Sequence, residues 1–332
     1  MSIEQRACGA LLGLAIGDAL GMPTQSMPRD EILRRYGELT GFLPGPADQP
    51  IAPNMAAGSV TDDTEQAMLV ADLLLEGVGH IDARRLADRL LAWEQDMRRR
   101  GSLDLLGPST KRAVDAVAAG TPVEETGRFG TTNGAAMRIA PVGVVAPVED
   151  LGALVDLVVE ASSVTHSTSV ALAGAAAVAA AVSAGIAGAG VAEAVRLAAE
   201  AATLAVHKGH WVAAGDIATR LTWAHGLVEA SNPSAAAELI EKLVGTSVAT
   251  QESVPAVFAV LAVWPDDPWR ACRFAASLGG DCDTIAAMVG AIAGACHGRA
   301  AFPEDAIGTV HDVNKLPFEQ TAIELLKLRP TG

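Results

Sequence analysis

Gly279-Gly280-Asp281-Cys282-Asp283-Thr284-Ile285-Ala286-Ala287-Met288-Val289-Gly290-Ala291-Ile292-Ala293-Gly294-Ala295-Cys296-His297 joins a glycine turn, a pair of carboxylates and an apolar run. The run predicts a helix over 284–297. Ala286, Ala287, Gly290, Ala291, Gly294 and Ala295 recur in it at close helical spacing, so a second backbone can approach very near. Such a helix belongs at the centre of a helical fold, which would set its acidic start deep in a cleft.

The same period governs the rest of the chain. Helices are expected over 3–20, 30–36, 61–76, 82–100, 109–119, 150–163, 167–184, 191–207, 212–230, 234–243, 253–264, 267–277 and 319–328. Gly21 and Pro23 close the first of them. Segments 41–58 and 121–138 are rich in Gly, Asn or Pro and read as irregular. No alternation of strand and helix suggests a parallel sheet, and no Pro/Ser/Gly linker divides the chain. The expected fold is therefore all-α, a single multi-helix domain over 1–332.

Composition agrees. Half of the 332 residues are hydrophobic, mostly Ala, Val and Leu, and aromatics make up 4%, which favours closely packed helices over sheets. A net charge of −15 argues against nonspecific binding of nucleic acid or an anionic membrane. A diphosphate substrate stays possible, because a metal can offset local charge. Cys8, Cys272, Cys282 and Cys296 form no CxxC pair. They are expected as reduced, mostly buried thiols of a cytoplasmic protein. Asp18 interrupts the apolar run 10–20, so no signal peptide is expected. The uncharged stretch 169–191 imitates a membrane span, but it is mostly Ala, Val and Gly, weak drivers of insertion, and is expected as a buried helix.

A second acidic cluster, Thr61-Asp62-Asp63-Thr64, opens the helix expected over 61–76. Each cluster could simply cap its helix. Capping needs only one carboxylate, however, and each cluster carries two beside a threonine hydroxyl. Four carboxylates with hydroxyls make an all-oxygen set suited to Mg²⁺ or Mn²⁺ rather than zinc. If the fold brings the clusters together they could hold two divalent cations, Asp62 serving one and Asp63 the other, with Asp281 and Asp283 opposite. Asp18, in Gly17-Asp18-Ala19-Leu20-Gly21, lies on an apolar turn and is costly to bury unless bound to something, whether ligand, arginine or backbone. Thr131-Thr132-Asn133-Gly134-Ala135-Ala136-Met137-Arg138 could hold a phosphate or ribose. Thr165-His166-Ser167 reads first as a cap of the helix that follows, since lone histidines are usually structural, and only second as part of a site. The remaining histidines show no metal-ligand spacing, and HExxH, GxSxG, Walker A and GxGxxG contexts are absent from the sequence.

Taken in order, these segments, with Ile285 to Gly290 after the last, resemble the ADP-ribosylglycohydrolase family over about residues 5–300. The resemblance implies an all-α domain, a dinuclear Mg²⁺ or Mn²⁺ centre and cleavage of a glycosidic bond at ribose C1″. It implies Thr61, Asp62, Asp63, Asp281, Asp283 and Thr284 as metal ligands. It places Asp18 and the loop residues Asn133, Gly134, Ala135, Met137 and Arg138 at the substrate, with His166 lining the cleft. Asp104 aligns with a further acidic residue of the cleft, so Asp62, Asp63, Asp104 and Asp283 are the candidate catalytic carboxylates. Gln25 stands where family members acting on ADP-ribosylated protein typically carry glutamate, and a neutral amide can coordinate or donate but cannot act as a base. The implied partner is an ADP-ribosylated protein, or a small N-riboside or nucleoside, which Gln25 makes more credible. A noncatalytic relative, as in the lens crystallins of the family, is the rival reading.

Overall fold

The computed structural model describes residues 1–330, and Thr331 and Gly332 of the expected domain lie outside them. Among the described residues there are helices and two isolated bridges but no strand. The Cys282–His297 helix is buried along nearly its whole length, as its small residues led one to expect. Its partner is the Ile3–Gly21 helix, itself buried from Ala7 to Gly21. The two meet backbone to backbone through facing glycines. A Cβ on Gly13 would stand 2.1 Å from the Gly290 carbonyl oxygen, and one on Gly290 would stand 1.9 Å from that of Gly13. Gly9 faces Gly294 and Gly17 faces Ala286 in the same way. At the end of the column Gly21 meets the Cα of Asp283. The contact thus runs antiparallel and fixes the depth of both Asp18 and Asp283.

The Ser169–Ala187 helix is long and apolar enough to cross a membrane, yet 94% of its apolar window is buried inside the protein. It packs on the Cys282–His297 helix, where Gly185 lies against Ala295 and Cys296. All four cysteines are buried and free.

Most expected helices are present with ends shifted by a few residues. The helix expected over 212–230 begins only at Ile217, capped by the Asp216 side chain. The helix expected over 253–264 begins earlier, at Thr250, and includes Pro255. Proline supplies no N–H to the Gln251 carbonyl four residues back, and the Arg220 guanidinium donates to that oxygen instead, at 2.7 Å. The helices Ala140–Val145 and Glu304–Asn314 were not anticipated. Ala140–Val145 carries Pro141 in its first turn, where proline is tolerated. Glu304–Asn314 follows Pro303, with Glu304 and Asp305 in its first turn. This second helix matters for the site: Asn314 Nδ2 donates to the Gly58 carbonyl at 2.9 Å, and its Oδ1 accepts the Val60 N–H at 3.0 Å. It thereby pins the segment leading into the first acidic cluster.

Candidate active site

The two acidic clusters meet. Thr61 and Asp281 occupy the N-cap positions of their helices, but neither side chain caps its helix. Hydrogen-bonded capping by the N-cap side chain is therefore absent from both, although Asp62, Asp63 and Asp283 do sit in the first turns. The Asp63 carboxylate joins the clusters instead: its Oδ2 accepts from Thr61 Oγ1 and from Thr284 Oγ1, each at 3.2 Å.

Asp18 does the capping, from another helix. Its carboxylate accepts the Thr61 N–H at 2.9 Å, the Thr64 N–H at 3.1 Å and both threonine hydroxyls. These four donors explain how a fully buried aspartate is tolerated. Burial raises its pKa to about 6, with the threonine donors opposing the rise. Asp18 was expected at the substrate; in this structure it lies beneath the cavity lining and holds the start of the Asp62–Glu76 helix.

Above it opens a cavity of about 290 Å³. Asp62, Asp104, Asp281, Asp283 and Thr284 line one part, and Gln25, Asn133, Gly134 and Met137 another. Asp63 and Thr61 lie just behind. The glycine turn aims the second cluster: Gly279 and Gly280 both have φ near +70 to +80°, which glycine adopts without strain. The turn is tied by the Ser26 N–H to the Gly280 carbonyl at 2.7 Å and by the Asp281 N–H to the Thr246 carbonyl at 2.7 Å. Asn133 Nδ2 donates to Asp281 Oδ2 at 2.5 Å and to Ser253 Oγ at 3.1 Å.

Three further residues expected at the substrate lie away from the cavity lining in this structure. Ala135, Arg138 and His166 are buried and do not line the cavity. His166 takes Thr132 and Thr165 hydroxyls as partners at 3.0 and 2.8 Å. Its Cε1 would lie 3.0 Å from a Cβ on Gly134, so the ring props the loop from below. Burial, then Arg138, push its pKa well below the ordinary range, so the imidazole is neutral. Arg138 donates to Thr165 Oγ1 at 2.6 Å and to Gln66 Oε1 at 3.1 Å. Gln66 in turn donates to Asp62 Oδ2 at 2.8 Å. Burial lowers the Arg138 pKa to about 10, with Asp62 opposing, so the guanidinium stays charged at neutral pH.

The sequence reading missed Gln66, although it stands four residues after Asp62 and so shares its helix face. It also missed Gln49, which organises the irregular segment 41–58. Gln49 Nε2 donates to the Gln25 carbonyl at 2.9 Å, and its Oε1 accepts the Ala52 N–H at 2.7 Å. Ile51 is thereby held at the cavity rim.

The oxygens test whether a metal suits this place. Asp63 Oδ1, Asp283 Oδ1 and Asp104 Oδ2 are buried with no hydrogen-bond partner among the described residues. No Lys or Arg lines the cavity. Burial first, then neighbouring carboxylates, hold the pKa values of Asp62, Asp63 and Asp283 well above the usual range. Asp281 is raised by burial, and Asp104 rises to about 8, chiefly by burial and then by Asp18. Unneutralised buried acids with free oxygens fit a hard divalent cation in chemistry. The placement is not a finished ligand cage, since no group of three His, Cys, Asp or Glu among the described residues is arranged to hold a metal ion. Asp62 and Asp281 spend oxygens on Gln66 and Asn133 instead.

These raised values make stability depend on pH. The aspartates bind protons more tightly when folded than when unfolded, so unfolding free energy falls as pH rises from about 4 through the folded values. In EDTA the melting temperature should drop between pH 5 and pH 8, and Asp283→Asn should flatten that drop. Thermal denaturation followed by circular dichroism checks this, and a wild-type curve that is level or rises would refute it.

The sequence profile of the ADP-ribosylglycohydrolase family matches residues 1–331. The chain belongs to the ADP-ribosylglycohydrolase family. It is 37% identical to the uncharacterized protein YegU of Escherichia coli (strain K12), over 98% of this chain and 97% of that one. It is 26% identical to ADP-ribosylhydrolase ARH3 of Bos taurus, over 89% and 86% of the two chains. A solved structure described as an ADP-ribosylglycohydrolase-related protein complex superposes with a TM-score of 0.74 at 26% identity, covering 99% of each chain. The all-α architecture of this ADP-ribosylglycohydrolase family member is thus shared over its full length.

Proposed function

We propose that the whole chain acts as one unit, a divalent-cation-dependent hydrolase that removes ADP-ribose from a modified side chain by cleaving the bond at ribose C1″. The observation carrying this reading is the convergence of Asp62, Asp63, Asp281, Asp283 and Thr284 beside the 133–137 loop, with carboxylate oxygens left unpartnered. Thr61, Asp62, Asp63, Asp281, Asp283 and Thr284 would hold two cations, Mg²⁺ or Mn²⁺. Bound there, such ions supply Lewis acidity and lower the pKa of a coordinated water.

The chain's own residues do the rest. Asn133, Gly134 and Met137 shape the wall against which the ribose rests, and the missing Cβ of Gly134 lets that loop settle onto the His166 ring and the Thr110 hydroxyl. Asp104 faces the cavity with a free Oδ2 and can hold or return the proton exchanged with the attacking water or the leaving group. Glycoside cleavage builds positive charge at the anomeric carbon, and a cavity lined by carboxylates stabilises it. Arg138, acting through Gln66, orients Asp62. Gln66→Leu should therefore cut turnover about 10- to 100-fold, the usual cost of losing such a supporting partner, with the fold retained by circular dichroism. Unchanged turnover would remove Gln66 from the site.

A second reading has its own support. Gln25 lines the cavity with a neutral amide whose Nε2 has no partner, and about 290 Å³ is small for a ligand pocket. Both suit a small N-riboside. One incubation with Mg²⁺ and Mn²⁺, against an EDTA control, separates the readings by mass spectrometry. The mixture holds ADP-ribosyl-arginine and ADP-ribosyl-serine peptides and a panel of nucleosides. EDTA-sensitive release of ADP-ribose is the expected result. Free ribose or base instead would make the protein a nucleosidase, and no product from either pool would overturn both in favour of a noncatalytic relative.

A further inference from the structure

A second cavity, of about 590 Å³, shares no lining residue with the first. Arg29, Arg270 and Arg273 line it together with the rings of Trp264 and Phe274. Two donors in it are stranded: Arg29 Nη1 and Trp264 Nε1 are buried and have no hydrogen-bond partner among the described residues. Burying such a donor unpaired costs about 1–3 kcal/mol, more for a charged group, so an acceptor that reaches them, water or ligand, would be held. Arg29 has only a distant acidic neighbour, Glu241 at 3.9 Å, beyond hydrogen-bond range. Arg273 is steadied through Nε on the Leu39 carbonyl and through Nη2 on Glu38. The Arg270 guanidinium stacks over Trp264, 5.3 Å from the ring centroid, a cation–π contact that keeps it at the wall.

Three arginines line this cavity against one acid, Glu38, which pairs with Arg273, while Asp267 pairs with Arg270 at 3.3 Å, so Arg29 is the least neutralised of the three. Arginine forks match phosphate oxygens better than any other side chain. The apolar part of the lining, from Leu39, Phe274 and the Trp264 ring, suits a planar ring. The volume falls within the range of small-molecule sites.

We propose that this cavity is a binding site for a planar-ring phosphate, of the nucleoside monophosphate class. The phosphate would meet Arg29 and Arg273 and accept the Trp264 N–H, and the ring would lie against Phe274. The site is separate from the acidic cavity: Gln25 faces one and Arg29 the other, and the Arg29 backbone lies against Gly279 at the base of the catalytic turn. The proposal does not depend on the hydrolase reading.

Calorimetry on the full chain in EDTA at low ionic strength tests it, with AMP, adenosine and inorganic phosphate as probes. AMP should bind at least 10-fold more tightly than inorganic phosphate or adenosine. Arg29→Gln should weaken AMP at least 10-fold while leaving the circular dichroism spectrum and the melting temperature in EDTA unchanged. Asp283→Asn should leave AMP affinity unchanged. Absence of AMP binding would overturn the proposal. So would phosphate binding as tightly as AMP, or AMP affinity lost in Asp283→Asn and retained in Arg29→Gln.

Discussion

Asp283→Asn should abolish turnover and stabilise the metal-free protein. Turnover should fall on the order of 10³-fold or more, the scale of removing a principal catalytic or electrostatic group. Asp283 lies in the first turn of the central helix, lines the cavity and keeps an unpartnered Oδ1. Its raised pKa has two causes of the same sign, burial and the charge of Asp281 and other nearby aspartates. An amide of the same shape removes one of the repelling charges and adds a donor that its neighbours can accept. Sites strained for function commonly gain about 0.5–2 kcal/mol when so relieved, or a few degrees in melting temperature. Asp62→Asn should behave alike, because Asp62 is raised by burial and by Asp104 and Asp283. Product assays together with melting in EDTA read both halves. A variant that loses activity because it melts lower would show a structural role, and one that keeps activity would remove Asp283 from the reaction.

The sequence disclosed the materials of this site better than their arrangement. Paired aspartates beside threonines can be read from either cluster alone. That Asp63 would take a hydroxyl from each cluster depends on how two helices pack, which neither cluster encodes. The closest sequence signal was the run of small residues after Asp283, which correctly marks a central helix. Its counterpart was legible and overlooked: Gly9, Gly13, Gly17 and Gly21 recur every fourth residue, a single stripe on one helix face. Asp18, Arg138, Ala135 and His166 were placed at the substrate by the family resemblance, motif by motif. The hydrogen bonds of Asp18, Arg138 and His166 support the cavity's residues from beneath. Asn314 could not have been found, because its contact with Val60 joins segments that share no local pattern and the helix carrying it was itself not anticipated.

The other large effect should come from the glycine stripe. Gly13→Leu should prevent folding, and Gly13→Ala should already cost several kcal/mol. The new Cβ would sit 2.1 Å from the Gly290 carbonyl oxygen and 2.8 Å from its carbon. Both are backbone atoms of a helix buried along nearly its whole length, which cannot yield as a flexible side chain would. The helices must part, and parting them opens the interior over their full length, a mechanism among the few that exceed about 4 kcal/mol. Two other helical glycines serve as controls. A Cβ added to Gly226 in Ile217–Val228, or to Gly308 in Glu304–Asn314, would meet nothing within 4 Å. Alanine there should stabilise by about 0.4–1 kcal/mol through the unfolded chain and helix propensity. The same substitution thus changes sign with position, which denaturant melts of Gly13→Ala, Gly226→Ala and Gly308→Ala will show. Equal effects at the three positions would mean that helix propensity, not the close approach, governs the stripe. Gly21→Ala adds a link to chemistry, because its Cβ would stand 2.2 Å from the Asp283 Cα. It should lower turnover more than its loss of stability explains, since the displaced backbone is the one that carries the second acidic cluster.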